Sequence, residues 1–373
     1  MKKLVALTLA CTMATGLFLS GCAMEDPTAS GSGTSNSGSS GQREVVVGGW
    51  GENIDPELIT MFQEETGIKV TYQEIENNEM MYSRVAMGGS GIDVLVPSDY
   101  MVARLIEEGL LAELNFDNIP NFEMIADRFK NLDYDPTNAY SVPYTWGTLG
   151  IIYNPTLIED EITSWGALFD EKYAGKTAMI GNSRDALAVA LMYLGYSINT
   201  TDEGEIQQAY ELIRQAKDAG VYQGLFMDEL YGKMESGETA LCTYYAGDYL
   251  SMYANNPDLK YVIPEEGSNW FVDAMCVLKD AENKDEAEEW INFICSKEAA
   301  LRNMDYIWYA TPNQEALDEY PAYYQEQYGE ELPQEIYEIM AAPQEVLDQC
   351  ESYINLPEET RVLYDELWTQ LGI

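Results

Sequence analysis

Trp50, Glu52 and Asn53 stand just after the run Val45-Val46-Val47-Gly48-Gly49, with Gly51 allowing close backbone approach. An indole face beside a carboxylate is what a chain presents to an organic cation. Further along, Phe271 and Asp273 lie two apart in the run WFVDAMCVL. In a strand that spacing turns both side chains to one face. A carboxylate inside an apolar run also needs a partner once buried. Tyr244 and Tyr245 close a third run, GETALCTYY, and Gly247-Asp248 follows at its carboxyl end. The sequence holds no histidine. That removes Ser-His-Asp and Cys-His catalysis and the usual zinc ligand sets. Carboxylate-pair hydrolysis, for example by Glu52 and Asp273, survives this test but has no distinctive motif behind it. No P-loop for ATP hydrolysis is present, and no cofactor or metal is expected.

Charge narrows the partners. Twenty Lys and Arg face 64 Asp and Glu, and removing the segment before Cys22, with Lys2 and Lys3, leaves 18 − 64 = −46. Such a surface repels nucleic-acid phosphates, gains nothing at an anionic membrane and draws in cations. Much of it also serves solubility. Of the six cysteines, Cys11 falls in the leader. Cys242, Cys276, Cys295 and Cys350 lack C-x-x-C spacing, which speaks against a zinc or thioredoxin-like site. Two disulfides in any of three connectivities, or free buried thiols, both remain open.

The elements that must position these residues follow from pattern. Residues 1–21 carry two lysines and then an apolar stretch, a secretory signal too interrupted for a comfortable membrane span. Leu19-Ser20-Gly21-Cys22 resembles a bacterial lipobox, implying cleavage before Cys22 and a lipid on its sulfur. Cys22 and residues up to 43 form a Gly/Ser-rich tether spanning about 25 Å. From residue 44, strand and helix alternate: strand 45–48, a helix opened by Asp55-Pro56 and stopped by Gly67, strand 68–72, helix 78–87, strand 92–96, and a helix from Ser98 to about Glu108. This is a parallel, doubly wound pattern, and its ligands belong in the loops after the strands. Two strand-like runs in 140–154 flank Tyr144, Trp146 and Gly147 and mark a crossing into a second α/β lobe. There, helices are expected at 184–194, 203–219 and 229–236, and strands at 177–180, 240–245 and 260–263. A strand at 270–278 and a helix at 285–295 follow. Residues 296–373 read as helical, with a break at Thr311-Pro312-Asn313.

Taken together, GGWGENIDPELITMFQEETGIKV, NNEMMYSRV, IDVLVPSDYMV, YSVPYTWG, LGYSINTTD, WFVDAMCVLKDAENKDEA and ATPN resemble the polyamine-binding receptors of bacterial ABC importers across nearly the whole of residues 44–373. The resemblance implies a two-lobed type II periplasmic-binding-protein fold of class α/β with a central ligand cleft. It places residues 44–147 and 272–312 in lobe 1, and residues 148–271 and 313–373 in lobe 2, with a hinge that closes on ligand. In that family the methylene chain lies between aromatic rings and carboxylates take the ammonium ends. Carried over by residue, Trp50 matches the first-loop aromatic and Glu52 the acid beside it. Ser98 and Tyr100 match a hydroxyl and a ring in the second loop. Asp185 matches an acid opening a second-lobe helix, and Tyr245 a position usually held by tryptophan. Phe271, Asp273 and Tyr309 match an aromatic wall, its carboxylate and a ring near ATPN.

The chain also departs from the pattern. Asn182 stands where spermidine-preferring members commonly have aspartate, and Asp248 adds a carboxylate three residues after Tyr245. Both favour putrescine, with spermidine next. The implied protein is a lipid-anchored, extracytoplasmic, monomeric, non-enzymatic receptor that delivers a polyamine to a membrane permease. A ferric-iron receptor of the same fold is a rival suggested by Tyr244-Tyr245, although strand alternation should send those side chains opposite ways. A receptor for a sugar or a quaternary amine is another.

Overall fold

A computed structural model describes residues 42–372. The leader, Cys22 and nearly all of the tether lie outside the described residues.

The strands are β1 (Glu44–Gly49), β2 (Lys69–Glu74), β3 (Val94–Leu95), β4 (Ser141–Tyr153), β5 (Thr177–Ile180), β6 (Tyr222–Phe226), β7 (Leu241–Tyr245), β8 (Lys260–Val262), β9 (Ser268–Val277) and β10 (Cys350–Glu351). Their order is β2-β1-β3-β9-β4-β7-β5-β6, with β8 beside β4 and β10 beside β9. Strands β1, β2 and β3 run parallel, as do β5, β6 and β7. Antiparallel β9 and β4 join the two sets. Residues Ser141 to Thr148 of β4 pair with β9, and Leu149 to Tyr153 pair with β7. The two strand-like runs expected at 140–154 are therefore one strand of 13 residues, buried throughout. Pro143 lacks a ladder donor, and the register shifts between Pro143 and Thr145 rather than breaking the strand.

The helices are α1 (Pro56–Thr66), α2 (Asn78–Val85), α3 (Asp99–Glu107), α4 (Ser183–Tyr193), α5 (Glu203–Asp218), α6 (Glu229–Ser236), α7 (Ala246–Asn255), α8 (Lys284–Ile294), α9 (Lys297–Ile307), α10 (Gln314–Tyr328), α11 (Gln334–Met340), α12 (Gln344–Leu347) and α13 (Glu358–Gln370). Helix α1 forms as its sequence dictates. The Asp55 carboxylate accepts the Glu57 amide at 2.9 Å, Pro56 occupies the first turn, and Gly67 ends the helix at φ 72°. Its apolar face, Leu58 and Phe62, is fully buried. Leu58 and Phe62 belong to the same core as Val45 and Val47 of β1.

Several elements have no local signal in the sequence. Strand β6 (YQGLF) carries a glycine and a glutamine. Helix α7 directly follows the tyrosine pair. Short 3₁₀ turns lie within 116–129 and 165–173. Residues 296–373, expected to be helical with one break, also contain strand β10, which pairs with β9. The strand expected at 92–96 pairs only over Val94 and Leu95. Cys242, Cys276 and Cys295 are buried free thiols and Cys350 a half-buried one, so the disulfide alternative does not hold.

Candidate functional site

The parallel strands point their carboxyl ends at one place. From β1 comes the Trp50–Asn53 loop, from β2 the segment Ile75–Asn78, and from β3 Ser98. From β5 comes Asn182, from β6 Met227-Asp228, and from β7 Tyr245 itself. All of these residues line a single cavity of about 880 Å³, open mouth included. All ten residues singled out in the sequence lie on its wall: Trp50, Glu52, Ser98, Tyr100, Asp185, Tyr245, Asp248, Phe271, Asp273 and Tyr309.

Seven carboxylates line it, those of Glu52, Glu76, Glu79, Asp185, Asp228, Asp248 and Asp273, and among the described residues no lysine or arginine does. Asp273 is the centre of this imbalance. It is 4 % exposed. Its Oδ2 accepts the Trp50 indole N–H at 3.1 Å and the Thr145 hydroxyl at 3.4 Å. Its Oδ1 is buried and has no partner among the described residues. Burial pushes the carboxyl up to about 6, against the pull of the polar groups around it. Asp248, in the first turn of α7, accepts hydroxyls from Tyr309 at 2.8 Å and from Tyr231. Burial pushes it up to about 7, with the charges of Asp228 and Asp273 adding to the rise.

Asp185 is held differently. Its Oδ2 accepts the Tyr245 hydroxyl at 2.5 Å and the Asn182 amide at 2.7 Å, while Oδ1 accepts the Tyr353 hydroxyl at 2.7 Å. Asn182 also caps α4 by accepting the Asp185 amide at 2.8 Å. The residue that departs from the family pattern thus orients its neighbouring carboxylate.

The rings form a cage. Tyr245 and Phe271 meet edge to face at 5.3 Å, and Phe271 lies 6.2 Å from Tyr309. Gly247 is required here, because a Cβ would overlap the Tyr309 ring. Two non-glycine residues adopt left-handed backbone at the site, Glu52 at φ 52° and Trp308, next to Tyr309, at φ 60°. Each such residue costs about 1–3 kcal/mol, strain characteristic of binding sites. Glu52 is exposed, at the rim. The Trp50 carbonyl accepts the Tyr72 hydroxyl at 2.8 Å, which fixes the loop. Ser98 precedes α3 without capping it by its side chain. Its hydroxyl instead accepts the Asn78 amide at 3.1 Å. The Tyr100 hydroxyl donates to Glu79 at 3.0 Å.

Sequence reading passed over Glu76, Glu79, Asp228, Tyr231 and Tyr353. The quoted stretch NNEMMYSRV held Glu79. Asp228 and Tyr231 follow β6, the strand that went unread. Tyr353 sits in a coil region with no pattern to mark it. The expectation that Tyr244 and Tyr245 face opposite ways is incorrect. Both line the cavity, their rings 5.1 Å apart, although both residues are extended and paired to β4. Ferric binding does not gain from this. Tyr244 donates its proton to Asp228 at 3.1 Å and Tyr245 donates to Asp185. Burial holds both phenols well above their ordinary range, which disfavours the phenolates such a metal needs. Among the described residues no group of three acidic, Cys or His ligands converges.

Comparison with known proteins agrees with this arrangement. Residues 57–328 match the family described as bacterial extracellular solute-binding protein. The spermidine/putrescine-binding periplasmic protein of Salmonella typhimurium is 34% identical over 268 residues, covering 71% of this chain and 76% of that protein. A putrescine-binding periplasmic protein of Pseudomonas aeruginosa is 28% identical over 348 residues, 86% of this chain and 90% of that one. A solved structure, a putative spermidine/putrescine ABC transporter from Listeria monocytogenes, superposes with a TM-score of 0.82 at 35% identity, covering 89% of this chain and 99% of that one. The fold is the two-lobed α/β fold of periplasmic solute-binding proteins, which are not enzymes. With carboxylates and rings gathered at the carboxyl ends of two parallel strand sets, and with this extent of similarity, the chain belongs to the family of bacterial extracellular solute-binding proteins.

Proposed function

We propose that the cavity captures a protonated polyamine, putrescine ahead of spermidine, for uptake through an ABC permease. The observation that carries this is Asp273 Oδ1, a buried carboxylate oxygen that among the described residues has no partner, in a cavity they line with no basic side chain. An unpaired buried carboxylate is costly. An alkylammonium supplies the missing charge and donors, and the charge-assisted bond is about twice as strong as a neutral one. The methylene chain then packs against Trp50, Tyr245, Phe271 and Tyr309, and an ammonium end over a ring face adds about 0.5–2 kcal/mol. The relatives named above for spermidine and putrescine support the same class. Asp248, three residues after Tyr245, shortens the site and favours the diamine.

In this reading residues 44–147 with 272–312, and 148–271 with 313–373, are lobes that close on the ligand, and α3 and α4 approach each other from opposite lobes. The receptor is a monomer held to the outer face of the membrane by a lipid on Cys22. Calorimetric titration with putrescine, spermidine, spermine, cadaverine and the neutral 1,4-butanediol tests the reading. Micromolar or tighter binding of at least one polyamine, with none of the diol, is expected. Equal binding of the diol, or no heat with any amine, contradicts it.

A further inference from the structure

A second cavity of opposite chemistry adjoins the first, sharing Glu79 and Tyr100 as its wall. It is lined by three guanidiniums, Arg104 of α3, Arg184 of α4 and Arg361 of α13. The whole chain has only 20 basic residues, so three at one cavity need a reason.

Two of them keep a buried donor without a partner among the described residues. Arg184 is 5 % exposed. Its Nη2 donates to two neutral acceptors, Asn199 Oδ1 at 2.9 Å and the Ile354 carbonyl at 3.4 Å. Its Nε has no partner. Its guanidinium rests 4.5 Å from the Tyr353 ring and 5.6 Å from the Tyr364 ring, which attract a cation but do not neutralise it. Arg361 donates to Asn355 Oδ1 at 2.8 Å and to the Leu356 carbonyl at 2.6 Å, and its Nε too is buried without a partner. The Glu108 carboxylate is 3.9 Å from Arg361 but already bound to Arg104 at 2.9 Å. The acids on the wall itself are Glu79, engaged by the Tyr100 hydroxyl, and Asp365. Asp365 faces Arg104 and Arg361, whose charges oppose the rise that burial imposes on its carboxyl, and no carboxylate forms an ion pair with Arg184 among the described residues. Ser183 and Arg184 also open α4, at the positive end of its dipole. A buried guanidinium without a carboxylate calls for an anion from outside.

We propose that this second cavity binds a small oxyanion, of the carboxylate, phosphate or sulfate class, held by Arg184 and Arg361 with Arg104 at its edge. The anion ties α3 to α4 and α13 and so steadies the wall that Tyr100 and Glu79 present to the first cavity. The site does not depend on which solute the first cavity takes.

Thermal melts and calorimetry on the unliganded chain test it, with sodium sulfate, sodium phosphate and sodium acetate each compared against sodium chloride at equal ionic strength. At about a hundredfold excess over Kd, the bound anion should raise Tm by about 3–6 °C beyond chloride. Saturation by acetate alone identifies a planar carboxylate site, and saturation by sulfate and phosphate a tetrahedral one; either supports the proposal. Arg361→Gln and Arg104→Gln should weaken the anion at least tenfold and at least threefold respectively, while Lys297→Gln, outside the cavity, leaves it unchanged. Melts that follow ionic strength alone overturn the proposal. So does full anion affinity in both folded arginine variants.

Discussion

Asp185, in the first turn of α4, and Asp273, midway along β9, line the same cavity, yet the two carboxylates are in opposite states. Asp185 is saturated: three side-chain donors, from Asn182, Tyr245 and Tyr353, converge on its two oxygens. Asp273 has donors on Oδ2 and nothing on Oδ1. Membership of a cavity wall is therefore not the same as readiness to bind. The first carboxylate is spent on orienting rings, and the second is short of a cation. A ligand that brings ammonium groups relieves the second and leaves the first unchanged.

Acidity should expose the difference most strongly. In the unliganded cavity Asp248 and Asp273 are raised to about 7 and about 6 by burial, and a bound dication requires both ionised. Affinity for putrescine should fall about a hundredfold or more from pH 8 to pH 5, with proton uptake by the empty site as the cause. Calorimetry across that range, repeated in buffers of different ionisation enthalpy, should show proton release on binding near pH 6.5. A flat profile would place the ammonium groups elsewhere. Stability runs the other way. A raised carboxyl favours the fold below the unfolded value near 4, and that contribution is lost as pH climbs through about 6, about 7 and, for buried Asp99, about 8. The unliganded Tm should accordingly drop between pH 5 and pH 8, and putrescine should recover most of the loss.

Next in size is Asp273→Asn, which keeps the shape and removes the charge. At least a tenfold rise in Kd for putrescine is expected, since an ammonium is left poorly paired. Trp50→Phe retains a ring and deletes the 3.1 Å indole donor to Asp273. Its cost should be a few-fold in Kd, equivalent to about 0.5–1.5 kcal/mol for one hydrogen bond. Smallest on affinity is Asp185→Asn, below about threefold, because its oxygens are already satisfied within the chain. The same change should lower Tm visibly, by an amount equivalent to about 1–3 kcal/mol, as hydroxyl donors lose an acceptor. An Asp185 variant that loses binding without losing stability would dissolve the contrast.

Much of the frame was legible in the sequence. The Asp55-Pro56 start, the Gly67 stop and the Leu58, Ile59 and Phe62 face are local signals, and α1 obeys them except that Ile59 is only half-buried. The pairing of Phe271 with Asp273 followed from strand alternation, and both reach the cavity. What escaped was non-local. Strand β6, YQGLF, is held by parallel pairing to β5 rather than by its own composition, so Asp228 and Tyr231 behind it went unnoticed. Alternation misled at Tyr244-Tyr245, both in β7 and both on the cavity wall, because it sets where each Cβ points and not where a long ring ends. Nor could spacing show that Asp185 is satisfied, since Tyr353 reaches it from 168 residues away.

The most direct measurement is a crystal structure of the chain with putrescine bound. An ammonium nitrogen should lie within about 3 Å of Asp273 Oδ1, the methylene chain between Trp50, Tyr245 and Phe271, and Asp185 should keep its three donors. A ligand seated outside this cavity, or an Asp273 Oδ1 that still meets no cation, would contradict the account.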